Sequence, residues 1–74
     1  MTVTEQQLAH WLAAGQTAME DGRYLDAARA FGQVQQALPG VGAVAAMAGQ
    51  AWQLAGRVLE ARDAYRAVWQ TADH

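Results

Sequence analysis

Residues 15–34 read GQTAMEDGRYLDAARAFGQV, and residues 49–68 read GQAWQLAGRVLEARDAYRAV. Laid over one another, they match at Gly15 and Gly49, Gln16 and Gln50, Gly22 and Gly56, and Arg23 and Arg57. Leu25 meets Leu59, Ala27 meets Ala61, Ala30 meets Ala64 and Val34 meets Val68. Conservative pairs lie between them: Asp26 with Glu60, and Phe31 with Tyr65. The offset is 34 residues throughout. Self-similarity at a period of roughly 20–50 residues marks an architecture in which one supersecondary unit is stacked on a copy of itself. No stretch alternates with period two for long enough to make a strand, so the unit is helical.

Working outward, the chain predicts four helices with short connections, hence antiparallel neighbours. Thr4-Glu5-Gln6-Gln7 fits a capping box, with Thr4 accepting from the first turn and Gln7 reaching back. Leu8, Trp11, Leu12, Ala18 and Met19 then recur at three- and four-residue steps. Glu20-Asp21-Gly22 ends this first helix, and Gly22 can take the left-handed conformation just past it. A second helix is expected from Tyr24 or Leu25 to about Ala37, with Asp26 in its first turn complementing the dipole. Pro39-Gly40 breaks the chain. A third helix is expected from about Gly42 to Ala55, ending at Gly56, and a fourth from about Val58 to Ala72.

Composition narrows the function. The chain has 74 residues, 53% hydrophobic and 16% charged, with a formal charge of −2. That is one small domain with too much apolar content for disorder. Cysteine, serine, lysine, asparagine and isoleucine are absent. No disulfide or thiolate metal site can form, and the serine, cysteine and lysine nucleophiles are missing. The acidic balance argues against nucleic acid as the main partner. The longest run without a polar side chain, Val41 to Gly49, is far short of the about twenty residues a bilayer span needs. The start lacks the basic patch and apolar run of a secretory signal, so a cytoplasmic protein is expected. Arginine as the only positive residue, with abundant alanine, suggests a GC-rich bacterial gene. His10 and His74 have no ligand partner at metal spacing, and no metal or cofactor is expected. Catalysis is not expected either.

A 34-residue period with two helices per unit is the tetratricopeptide signature. Here the first copy reads Trp11-x2-Ala14-Gly15-x2-Ala18, then Ala27-x3-Phe31, then Pro39. The second reads Ala45-x2-Ala48-Gly49-x2-Trp52, then Ala61-x3-Tyr65, with Asp73 in the proline slot. The chain resembles the tetratricopeptide repeat family over residues 8–74. The resemblance implies a single all-α domain over 1–74: two helix-turn-helix hairpins in a short right-handed superhelical array, repeat one at about 8–41 and repeat two at about 42–74. Ala14, Ala18, Ala45 and Ala48 replace larger consensus residues, so a thin interhelical core is expected.

The family lines its inner groove with the first helix of each repeat. Carried over, that gives Ala9, Leu12, Ala13, Gln16, Met19 and Glu20, then Ala43, Ala46, Met47, Gln50, Gln53 and Leu54. Leu12 and Gln16 stand where members that clamp a terminal carboxylate carry clamp residues, which argues against such a clamp here. An alanine-floored groove with Leu12, Met19, Met47 and Leu54 suits the apolar face of a helix, and methionine adapts to irregular partners. The alternative is that these residues pack on one another or on a neighbouring copy.

Trp52, Val58, Tyr65 and Trp69 lie where a following helix would cover some of them, which marks a possible second interface and self-association. Leu25 and Leu59, at positions usually polar in the family, extend an outer patch. Gly32 has no role in the repeat pattern. It is either a soft point in the second helix or a backbone surface pressed by a partner.

The expected function is therefore a protein-binding module or chaperone that buries a partner's amphipathic helix. In length and repeat type it is similar to the small bacterial chaperones of type III secretion that hold a needle subunit's apolar terminal helix. The alternative is a homo-oligomerisation or scaffold module using the uncovered face of helices three and four. An excised or designed repeat fragment of a larger solenoid is a third reading, against which Met1 and the cap at Thr4 speak mildly. The isolated chain should give a far-ultraviolet spectrum dominated by helix, with a core supplying no more than about 3–5 kcal/mol. Substantial sheet signal would contradict this reading.

Overall fold

The computed structural model describes residues 3–72, with side chains described for residues 3–68. Asp73, His74 and the side chain of Trp69 therefore lie outside the described residues. Four helices account for almost all of the rest: α1 Glu5–Glu20, α2 Tyr24–Ala37, α3 Gly42–Leu54 and α4 Val58–Ala72. There is no strand among the described residues. Helix α2 packs on α1 and on α3, and α3 packs on α4. The result is an all-α slab of two helical hairpins, 34 × 31 × 17 Å.

Local chemistry sets the boundaries. At the first turn of α1, the Gln7 N–H donates to Thr4 Oγ1, and the Thr4 N–H donates to Gln7 Oε1, both at 3.1 Å. This is the reciprocal cap expected from the sequence. Helices α1 and α3 end alike. Gly22 and Gly56 have φ of 76° and 79°, a region costly for any residue with a Cβ. Around Gly22, the Arg23 N–H donates to Ala18 O at 2.8 Å and the Gly22 N–H to Met19 O at 3.2 Å. Around Gly56, Arg57 donates to Trp52 O at 2.9 Å and Gly56 to Gln53 O at 3.1 Å. Both are Schellman closures, which satisfy carbonyls that a helix end leaves open. Arg23 then pairs with Asp26 at 3.4 Å, and Arg57 with Glu60 at 3.7 Å. These exposed pairs add little energy, but they show the 34-residue repeat in geometry. Between the hairpins, Val41 N–H donates to Leu38 O across Pro39-Gly40. Proline at the second turn position presets the required φ.

The core is mostly alanine. Ala18, Ala27, Ala28, Ala48, Ala51 and Ala64 form one cluster with Phe31. Side chains this small let helix backbones come close, because the distance between packed helices is set by the side chains at the contact. Glycine extends the principle. A Cβ built on Gly15 would lie 2.5 Å from the Phe31 ring, and one on Gly49 would lie 2.8 Å from the Tyr65 ring. Each aromatic ring thus lies directly on the backbone of the facing helix. That accounts for two glycines inside helices, where each costs up to about 1 kcal/mol against alanine.

Gly32 differs. A Cβ there would meet nothing within 4 Å. One substitution at these positions should therefore have opposite effects. Gly15→Ala should destabilise by about 1–3 kcal/mol, because the Phe31 ring is buried and cannot retreat. Gly49→Ala should cost less, since Tyr65 is only half-buried and can move. Gly32→Ala should stabilise by up to about 1 kcal/mol through helix propensity. Denaturant melts of the three variants check the order. A Gly15→Ala variant as stable as Gly32→Ala would show that the ring-on-backbone contact is unimportant.

Candidate functional groove

Helices α1 and α3 are the first helices of the two hairpins, and α2 lies behind both. Between α1 and α3 is a shallow groove of about 260 Å³. Gln16, Met19 and Glu20 line it from α1, Met47 and Gln50 from α3, and Phe31 from α2. The spacing 16, 19, 20 places its residues on one side of α1, and 47, 50 does the same on α3. Met19 and Met47 are half-buried and pack against the alanine cluster, as does Leu12. Gln16, Glu20 and Gln50 are exposed. The groove is therefore an apolar floor with an amide rim and one carboxylate.

Five of the residues expected in the groove from the sequence come together there. The others are spread more widely. Ala9 and Ala43 are exposed, and Ala46 is half-buried. Leu54, at 48% exposure, and Gln53 lie at the end of α3. Gln53 Oε1 accepts from the Tyr65 hydroxyl at 3.4 Å. Ala13 lines a different depression, made by α1 and α2 with His10, Ala14, Thr17, Ala18, Arg23 and Asp26. The floor residue that the sequence reading did not place in the groove is Phe31. The signal for it was present: Gly15 leaves a gap in α1 through which a ring sixteen positions on can reach.

The residues of the expected second interface separate. Trp52 packs on the core and borders a depression with Gly32, Gln35, Gln36, Glu60, Asp63 and Ala64. Tyr65 lies on Gly49. Val58 and Leu59 are exposed, whereas Leu25 is half-buried. Leu25 borders a depression closed by Ala55 of the second hairpin.

No polar or charged residue is buried among the described residues. No group of three or more histidine, aspartate or glutamate side chains is gathered for a metal among them. No helix among them is long and apolar enough to cross a membrane. Comparison with protein-family models, curated proteins and solved structures finds no match to this chain.

Proposed function

We propose that the chain is a two-repeat tetratricopeptide-type binding module, not an enzyme, whose groove between α1 and α3 takes the apolar face of a partner's amphipathic helix. The observation that carries this reading is one groove lined by Met19 from α1, Met47 from α3 and Phe31 from α2, together with the exposed Gln16 and Gln50. Two flexible thioethers over an aromatic floor can fit several apolar side chains, while the rim amides bond the flanks of the bound helix. The repeat itself supports the family: Schellman turns and ring-on-glycine contacts recur 34 residues apart. The absence of serine, cysteine and lysine supports binding over covalent catalysis.

Within this class, the repeat type and the apolar groove floor favour a cytoplasmic chaperone that holds the terminal helix of a small secreted subunit, as in type III secretion. Met47→Ala tests the groove. Fully burying such a side chain is worth roughly 1.5–3 kcal/mol, and about 1.4 kcal/mol is one decade in affinity. Affinity for the partner that co-purifies from the host should fall about tenfold, with the melt of the free protein lowered only modestly. Met47→Glu should weaken binding further. Raising salt should alter wild-type affinity little, because burial dominates. Unchanged affinity in both variants would rule the groove out as the binding site.

A further inference from the structure

The α2–α3 junction is an internal standard for what a stacked face contains. On α2 it presents Ala28, which is 0% exposed and clusters with Ala48 and Ala51 of α3. Tyr24 and Leu25, at the start of the same helix, are half-buried beside Ala55. The matching positions on α4, 34 residues on, are Val58, Leu59 and Arg62. Arg66 stands where α2 has Gly32. No described element covers this face: Val58 and Leu59 are each 70% exposed, the highest among the exposed large apolar side chains.

Its composition limits the occupant. A further hairpin, or a second copy stacked as α3 stacks on α2, would carry the Arg62 guanidinium to a place that holds an alanine in the internal junction. Burying an uncompensated charge there is strongly unfavourable. A purely solvated end explains the arginines but not two exposed aliphatic side chains beside them. The arginines differ from those at the turns. Arg23 and Arg57 have carboxylate partners, whereas Arg62 and Arg66 form no ion pair among the described residues. Four residues apart, they lie one above the other on one side of the helix. The acids of α4, Glu60 and Asp63, border the depression shared with Gln35, Gln36 and Trp52.

We propose that this outer face of α4 is a second docking surface, for an acidic amphipathic helix of a partner protein. Carboxylates one helical turn apart on that helix would meet Arg62 and Arg66, whose planar guanidinium groups suit paired hydrogen bonds to carboxylates. Its apolar side chains would lie on Val58 and Leu59. The proposal is independent of the groove between α1 and α3.

The probe is a synthetic amphipathic helix with two glutamates four residues apart flanked by leucines, together with its twin carrying glutamine for each glutamate. Binding to the full chain is followed by fluorescence anisotropy. The glutamate peptide should bind about tenfold more tightly than its twin, the worth of two partly exposed charge pairs. The preference should weaken with added salt. It should disappear in Arg62→Gln/Arg66→Gln, persist in Arg62→Lys/Arg66→Lys at reduced strength, and survive Met47→Glu. Melts identify any variant that fails to fold, and the lysine pair then carries the test. No binding, equal binding of the two peptides, or a preference that survives the glutamine pair would each overturn the proposal.

Discussion

An aromatic ring resting on a glycine backbone is the contact on which this domain depends. Phe31 does this to Gly15 in the first hairpin, and Tyr65 to Gly49 in the second. A chain this short has few large apolar side chains to bury, and most of its core is alanine. Alanine surfaces hold together only when helices come close, because dispersion falls off steeply with distance. Glycine removes the last obstacle to that approach, and the ring supplies area that the alanines lack. The helix-propensity cost of the glycines is offset by ring-on-backbone packing that a Cβ at these positions would obstruct.

The same contact shapes the surface. Because Phe31 reaches α1 across Gly15, it also lines the groove between α1 and α3 that Met19 and Met47 border. Structure and candidate function thus share one side chain. Tyr65 is the variant copy. Its hydroxyl needs a partner, which it finds on Gln53 at 3.4 Å. The second hairpin therefore has a polar contact where the first has Met19 and Phe31.

Repetition also separates positions that hold the fold from positions whose surroundings differ between the hairpins. Positions that do the same work in both hairpins keep their chemistry: the left-handed glycines, the arginines after them, and the first-turn acids. Where the environment differs, the residues differ. Ala28 is enclosed between hairpins, and Arg62, its match, is exposed.

From sequence alone, the four helices, their ends and the 34-residue unit were legible, because caps and left-handed turns are written in residues that touch within one or two helical turns. The Thr4–Gln7 box, the left-handed turn at Gly22 and the helix end at Gly56 needed no knowledge of the distant chain. Groove membership was legible only in part. A helical wheel gives the side on which Gln16, Met19, Met47 and Gln50 lie, but not how far that side extends. Ala13 fell into a separate depression because α2, not α3, borders it. Small residues at Gly15, Gly49, Ala27 and Ala61 pointed to close helix approach with Phe31 and Tyr65 filling the space, but the place of Phe31 in the groove floor and the open position of Arg62 and Arg66 were decided by tertiary structure. Each depends on which neighbouring helix lies opposite and how close it comes, and packing fixes that distance.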